Sequence, residues 1–198
     1  NHPSIENISE GEIIYEVSFP DNQAHEISKD LLPAEFVLYF NQNKTCCEFN
    51  SVNGTINTRM ISDTNKLTYS VLVNSKEQKM AKTFTEEYVK ENFKNRVPLK
   101  IYFTENKKQI AGIECKEAIC TDSTENTYSV YYSDNFKINE PNWATSFSEI
   151  PGVLMEYNVK INNIAMHLKA KSISSEKTDA TLFIIPANLK SIMPVKKA

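Results

Sequence analysis

The sequence predicts a mainly β protein (α+β) of antiparallel strands, arranged as a sandwich, a barrel or a curved sheet with short covering helices. Short runs in which apolar and polar residues alternate follow one another along the chain, and turn-forming residues separate many of them. Two hairpin signatures fit this pattern, whereas only two short segments have helical spacing. The 198 residues can bury a substantial core, so we expect one domain over 1–198. Residues 1–10 are predicted to form an N-terminal tether and residues 187–198 a C-terminal tail.

The alternation is clearest in the first part of the chain. Ile13, Tyr15 and Val17 alternate with acidic and hydroxyl side chains, which indicates a strand buried on one face. Residues 36–40 repeat the alternation but are apolar on both faces. Further strands are predicted over 66–73, 78–83, 99–104, 109–113, 115–121, 128–133 and 181–185, with turn-forming residues at 104–107 and 122–126.

Two turn signals fix the register of a hairpin each. A two-residue turn at Asn53-Gly54 places Glu48 opposite Arg59 and Cys47 opposite Met60, which gives one apolar and one polar face. A two-residue turn at Asn162-Asn163 predicts the second hairpin. Its apolar face pairs Ile161 with Ile164, Val159 with Met166, Tyr157 with Leu168 and Met155 with Ala170, while its polar face pairs Asn158 with His167 and Glu156 with Lys169. A slip by one residue would destroy that separation.

Two segments are predicted to be short amphipathic helices that lay their apolar sides on the sheet. Residues 22–32 have apolar residues at helical spacing, and Pro33 ends the segment. Residues 85–95 also have apolar residues at helical spacing. Thr83 with Glu86, or Thr85 with Glu87, lies near the start of this segment, and Thr83-Phe84-Thr85-Glu86 has the spacing of a capping box.

Composition excludes several functional classes. The net charge is −3 and the chain has only two arginines, Arg59 and Arg96, which argues against a nucleic-acid-binding surface. No apolar run approaches the ~18 residues of a transmembrane span. None of the four glycines belongs to a phosphate-binding loop, and no cofactor is predicted.

The cysteines leave three interpretations open. Cys46, Cys47, Cys115 and Cys120 have no metal-binding spacing, so we predict no metal site. They are buried free thiols, or partners in one disulfide that joins one pair to the other, or a redox-active pair. Nothing near them in the sequence would lower a thiol pKa, which disfavours the third interpretation.

No set of residues indicates catalysis, and we predict that the chain is not an enzyme. Among the histidines, His2 lies near the chain start, His25 in a predicted solvated helix and His167 on the polar face of the second hairpin. Glu86 and Glu87 fit the start of a helix, where carboxylates complement the helix dipole. Glu156 is explained by the cross-strand Lys169.

An apolar stripe is the candidate ligand-binding site. The stripe consists of Met155, Tyr157, Val159, Met166 and Leu168, and the candidate site also includes Phe36, Leu38, Phe40 and Trp143. These side chains either form the core or, under incomplete helical cover, line a groove in which methionines adapt to irregular apolar ligands. Trp143 packs over one end of the sheet or lies on the rim of a cavity or partner surface. Lys190, Lys196 and Lys197 are predicted to form a solvated tail, with weak contact to anionic headgroups as an alternative.

The order of several motifs resembles a family of uncharacterised exported proteins found mainly in Bacteroidetes. The matching segments are GEIIYEV at 11–17, IAGIECKEA at 110–118, YSVYYS at 128–133, IPGVLMEY at 150–157 and FIIP at 183–186. IPGV resembles the Leu-Pro-Gly-Leu signature of that family, with Ile150 in place of its first leucine. The family in turn resembles the lipoprotein carriers (the LolA/LolB-like group).

The resemblance implies a curved antiparallel half-barrel of about 10–12 strands, with two or more short helices covering an apolar concave face. We expect an exported protein, in the periplasm or on the outer membrane of a Gram-negative bacterium, and we expect it to be a monomer. A lipid anchor upstream of Asn1 is expected. We expect non-catalytic binding of a lipid, an acylated protein or another apolar ligand in a groove between sheet and helices. The alternative is an interaction or sensor module of the cell envelope, with a self-filled core and an exposed edge strand or Trp143 loop that recognises another envelope protein.

Overall fold

The computed structural model describes residues 7–19, 32–94, 99–161 and 164–189. In these residues the chain forms a single open sheet of 11 antiparallel strands. The strands are β1 (Glu10–Ser18), β2 (Pro33–Asn41), β3 (Lys44–Ser51), β4 (Ile56–Asp63), β5 (Thr68–Ser75), β6 (Lys79–Phe84), β7 (Lys100–Ile110), β8 (Ile113–Thr121), β9 (Thr127–Ser133), β10 (Val153–Ile161) and β11 (Ile164–Ser174). The helix α1 (Glu86–Val89) continues into a π-helical turn at Lys90–Lys94, and a 3-10 helix covers Ala180–Phe183. The prediction of a mainly β, antiparallel protein is therefore confirmed.

The sheet consists of two meanders that meet at β1. Its strand order is β6-β5-β4-β3-β2-β1-β11-β10-β9-β8-β7. The chain runs outward from β1 to one edge at β6, passes through α1, and starts again at the opposite edge with β7. Strands β7 to β11 then lead back, and β11 pairs with β1. Strands β6 and β7 are thus the two free edges of the described sheet.

Both hairpin registers are confirmed. Cys47 lies opposite Met60 and Glu48 opposite Arg59, and the latter two side chains form an ion pair. In the second hairpin, Tyr157 lies opposite Leu168. Its turn, residues 162–163, lies outside the described residues.

Three local predictions are wrong. Residues 104–106 form a bulge inside β7 instead of the predicted turn at 104–107, and the hairpin turns at Ala111 and Gly112, which interrupts the strand predicted over 109–113. Residues 180–183 form a 3-10 helix instead of a strand, because the Asp179 side chain accepts a hydrogen bond from the backbone of Thr181 and begins a helical turn.

Of the two threonines predicted near the start of α1, Thr85 caps the helix, and the capping box of Thr83 with Glu86 does not form. The N-cap is Thr85, whose hydroxyl accepts a hydrogen bond from the Tyr88 backbone. Thr83 belongs to β6 and is hydrogen-bonded to Ser70, so it cannot cap the helix. Val89 is fully buried against Phe84 and Trp143, which is how this short helix covers the sheet.

Several predicted segments lie partly or wholly outside the description. These are residues 22–31 of the first predicted helix, residues 1–6 of the tether and residues 190–198 of the tail. Leu32 lies at a bend, and Pro33 begins β2. Ile8 bridges to Phe136 and is buried, so this part of the predicted tether packs on the domain.

Candidate functional site

The apolar stripe predicted from the sequence lies at the junction of the two meanders. Phe36 lies opposite Tyr15 and Leu38 opposite Ile13, while Tyr157 lies opposite Leu168 across the second hairpin. The main hydrophobic cluster contains the buried Phe36, Leu38, Phe40, Met155 and Leu168, and Tyr157 and Val159 pack against it half-buried. Met166 is also buried. The structure therefore brings most of the predicted site residues together.

Tyr15 organises the centre of this cluster. Its ring contacts Phe36 edge-to-face at a centroid distance of 5.5 Å and Tyr157 at 6.2 Å. Its hydroxyl donates a 2.7 Å hydrogen bond to the Leu154 carbonyl, so the buried polar atom is satisfied. Burial raises the pKa of both tyrosine hydroxyls well above their usual range. The Tyr15 hydroxyl therefore serves as a buried structural donor.

Trp143 lies apart from the stripe. It is buried in a separate cluster with Phe84, Val89 and Ala144, and its indole N–H donates to the Ser62 hydroxyl. This is the core interpretation of Trp143, in which the ring packs over the β4–β6 end of the sheet. The side chain is 8% exposed, which leaves little of the ring to contact a ligand or partner.

The loop that carries Trp143 fills a second part of the molecule. Phe147 and Ile150 are buried against Ala118, Val130 and Leu154.

Two hollows of about 330 Å³ and 240 Å³ lie beside the segment 174–184, and no stripe residue lines either of them. Met155, Met166 and Leu168 of the stripe are buried, and Tyr157 and Val159 are half-buried.

All four cysteines are free thiols, and no pair of the predicted disulfide partners is joined. Cys46, Cys115 and Cys120 are buried in three different hydrophobic clusters, and Cys47 packs half-buried against the cluster of Cys115. Burial raises the pKa of Cys46 and Cys115 to about 12 and that of Cys120 to about 11. Such thiols are poor nucleophiles at neutral pH.

The polar face of the second hairpin contains an interaction that the sequence did not reveal. Glu156 lies opposite Lys169 as predicted, but its carboxylate forms an ion pair with Lys108 of β7, at 2.7 Å, and lies 3.6 Å from the Nε2 of His167. The Lys108 ammonium also lies 4.8 Å from the centre of the Tyr131 ring. His167 lies opposite Asn158 and its Nδ1 is 2.9 Å from the Asn158 Oδ1, as expected for a surface histidine on this face.

Glu117 of β8 is the most strongly hydrogen-bonded carboxylate in the described chain. It lies opposite the β7 bulge and accepts hydrogen bonds from Thr104 and Asn106 of that bulge, at 2.8 and 2.9 Å. The hydroxyls of Ser129 and Tyr131 donate to its other oxygen, at 2.8 and 3.1 Å. These bonds lower the pKa of Glu117 to about 2, with the largest contribution from Asn106. The carboxylate holds three strands together at the sheet edge.

Replacing Glu117 with glutamine is expected to lower the free energy of unfolding by about 2 kcal/mol at pH 7, because hydrogen bonds to a charged acceptor are lost and an amide donor faces other donors. The folded-state pKa lies below the unfolded value, so the contribution is complete above about pH 5 and is lost as the pH falls towards 2. Urea unfolding of both proteins at pH 7, 4 and 3 measures this difference. A difference that is independent of pH would contradict the assignment.

The exposed edge at β7 carries two neighbouring aromatic side chains. Tyr102 is 70% exposed and Phe103 is 46% exposed. They point to opposite faces of the strand, and the Phe103 ring rests edge-on against Tyr132 at 5.9 Å. Sequence reasoning placed these residues on a strand, but it gave no sign that the strand lies at an edge, because strand order depends on long-range pairing.

The described residues contain no group of three or more metal-ligating side chains. In the same residues, no helix has the length and hydropathy needed to cross a membrane.

Comparison with known proteins identifies a fold and no family. No family model matches the chain, and no curated protein matches it. The structure of PNGF-II, solved in space group C2, resembles it with a TM-score of 0.58 and 14% sequence identity. The match covers 93% of this chain and 31% of the PNGF-II chain. At this identity the likeness shows the fold alone, and this chain spans less than a third of that protein.

Proposed function

We propose that this chain is a non-catalytic protein-binding module, whose core is filled by its own side chains and whose recognition surface is the β7 edge. The observation that carries the proposal is the pair of exposed aromatic side chains, Tyr102 and Phe103, on a free edge strand. Exposed aromatic residues are enriched at protein interfaces. An unpaired strand also offers backbone donors and acceptors to a partner.

The packing of the stripe favours protein binding over the lipid-binding hypothesis. Leu168 and Met155 are 1% and 0% exposed, so acyl chains would have to displace core side chains to reach them. The half-buried apolar residues of this region include Val17, Phe49 and Met60 beside the stripe and Tyr157 and Val159 within it. An apolar ligand would have to use these partly exposed side chains.

We also propose that the open sheet is strongly curved, as a half-barrel requires. A flat sheet of 11 strands would hold β6 and β7 about 48 Å apart. Residues 85–99 connect those strands, and 86–94 are helical, which limits their reach to about 40 Å. The ion pair between Lys108 of β7 and Glu156 of β10 supports the same curvature, because two strands separate these residues in the sheet.

The β6 edge is less suited to recognition than the β7 edge. Lys79 and Lys82 lie along β6, and lysines on an edge strand discourage pairing with other chains. The Lys82 ammonium lies over the Phe84 ring, which stacks on Tyr88 of α1 at 4.9 Å. The aromatic residue of this edge is therefore used inside the domain, whereas Tyr102 is exposed.

We propose that the partner is another protein of the bacterial cell envelope. This setting follows from the resemblance of the sequence motifs to an exported family. The comparison with PNGF-II supports a modular role, because the same fold there accounts for only part of a longer chain.

Affinity purification from envelope fractions of the source cells tests this function. Immobilised wild-type chain is compared with a Tyr102→Ser/Phe103→Ser double variant, and Met80→Ser on the β6 edge is the matched control. We expect a protein that the wild type and the control retain and that the double variant loses by about tenfold or more. Equal retention by all three chains, or retention of no protein, would contradict the proposal.

A further inference from the structure

Resting on the proposed function, we propose that the β7 edge binds an extended peptide segment, which adds to the sheet as a strand along Lys100–Phe103. The segment carries apolar side chains opposite Tyr102 and Phe103 and an acidic side chain opposite Lys100. Three features of β7 support this: the extent of its regular edge, the faces on which Tyr102 and Phe103 lie, and the charge of Lys100.

The bulge limits the length of the docking edge. Phe103 lies opposite Ala118 and Lys107 opposite Lys116, so residues 104–106 of β7 share the single partner position of Glu117. Such a bulge bends the strand and interrupts its regular outward hydrogen-bonding pattern. Thr104 and Asn106 donate to the Glu117 carboxylate, which fixes the bulge in place. The bulge divides the edge into two regular parts, Lys100–Phe103 and Lys107–Ile110. Only the first carries the exposed Tyr102 and Phe103, whereas Ile110 of the second is buried in the core, so the docking edge is Lys100–Phe103 and Glu117 is a positioning residue for it.

The side chains of Lys100–Phe103 determine which side chains a strand added at this edge should carry. A residue paired with Tyr102 lies on the same face as Tyr102, beside the half-buried Ile119. A residue paired with Phe103 lies on the other face, beside the contact between Phe103 and Tyr132. Two consecutive apolar residues in the partner would cover both aromatic rings and remove them from water.

The charge on this edge adds a further requirement. Among the described residues, Lys100 has no carboxylate within ion-pair distance, whereas Lys107 pairs with Glu114 and Lys108 with Glu156. Lys100 lies two residues before Tyr102 and thus on the same face. An acidic side chain two positions from the apolar residue opposite Tyr102 would lie beside the Lys100 ammonium.

A palindromic peptide tests the proposal for both strand directions. The probe is the acetylated, amidated hexapeptide Glu-Thr-Val-Val-Thr-Glu with a fluorescent label, which matches the edge whether it docks parallel or antiparallel. Fluorescence anisotropy with the full chain is expected to give a dissociation constant on the order of 0.1 mM. Replacing both glutamates with lysine is expected to weaken binding about fivefold or more.

Two comparisons separate strand addition from general adsorption to apolar surface. The same peptide with its interior amides N-methylated cannot pair through its backbone, and we expect its binding to the wild-type chain to be lost. The Tyr102→Ser/Phe103→Ser variant is expected to bind the unmodified peptide at least about tenfold more weakly, while Met80→Ser binds it normally. Amide hydrogen exchange is expected to slow at 100–103 when the peptide is added.

Each contrary result overturns this inference separately from the proposed function. Three results would show that no strand is added at Lys100–Phe103. The N-methylated peptide would bind as tightly as the unmodified one, or hydrogen exchange would slow at another edge of the sheet. The third is that the probe does not bind at 1 mM, a limit corresponding to about −4 kcal/mol. If a protein partner is still lost from the double variant in the affinity purification, the β7 surface remains the recognition site and only the strand-addition mode fails.

Discussion

Replacing Gly11 with alanine is expected to destabilise the fold by about 3 kcal/mol or more. A Cβ atom at this position would lie 2.0 Å from the Ser174 carbonyl oxygen and 3.1 Å from the Cα of Ser175. Both are backbone atoms, so the clash cannot be relieved by rotating a side chain. Gly11 also has a φ of +152°, which L side chains rarely adopt. The position lies where β1 meets β11, and we expect the substitution to loosen the junction of the two meanders.

Gly54→Ala is the matched control for this prediction. Gly54 also has a positive φ, of +66°, but a Cβ there would meet no atom within 4 Å. We expect it to cost about 1–2 kcal/mol from backbone strain alone. Urea unfolding followed by circular dichroism measures both variants. Equal destabilisation of the two would show that the close approach of β11 to Gly11 does not constrain the fold.

Replacing Leu168 with glutamate is expected to lower the free energy of unfolding by about 4 kcal/mol or more, because a carboxylate would enter the closed cluster around Tyr15. Leu168 is 1% exposed and lies opposite both Val17 and Tyr157. A loss of this size consumes much of the stability of a typical domain, which is about 5–15 kcal/mol. Thermal unfolding of the purified variant measures the effect.

Val159→Glu is the comparison on the same strand pair. Val159 is half-buried and lies opposite Met166, so its substituent can reach water. We expect a loss of about 1–2 kcal/mol. If Leu168→Glu lowered the free energy of unfolding no more than Val159→Glu does, the stripe would be an accessible groove. That result would support the lipid-binding hypothesis.

Local signals explain why both hairpins could be predicted with their registers. The pairs Glu48–Arg59 and Tyr157–Leu168 follow from a turn position and a period of two, and both lie within a few residues of the turn. The apolar stripe followed from the same alternation. Its burial did not, because alternation identifies an apolar face without showing what covers that face.

Three features could not be predicted because they depend on pairing between strands that are distant in the sequence. The ion pair between Lys108 and Glu156 joins residues 48 positions apart, and the strands between them have to be ordered before the contact can be foreseen. The β7 bulge has a similar origin. The residues 104–107 have turn composition, but the hydrogen bonds that Thr104 and Asn106 donate to Glu117 keep them in a strand. The edge position of Tyr102 also depends on strand order, which no local pattern encodes.

Native mass spectrometry of the protein purified from its own cells, with solvent extraction of the same sample, tests the central claim most directly. The claim is that the core is filled by the protein's own side chains and that recognition occurs at the β7 edge. The account predicts the mass of the protein without bound lipid, and no stoichiometric lipid in the extract. Lipid bound in near one-to-one amount, and lost from a folded Val159→Glu variant, would contradict the account and make the apolar stripe the functional site.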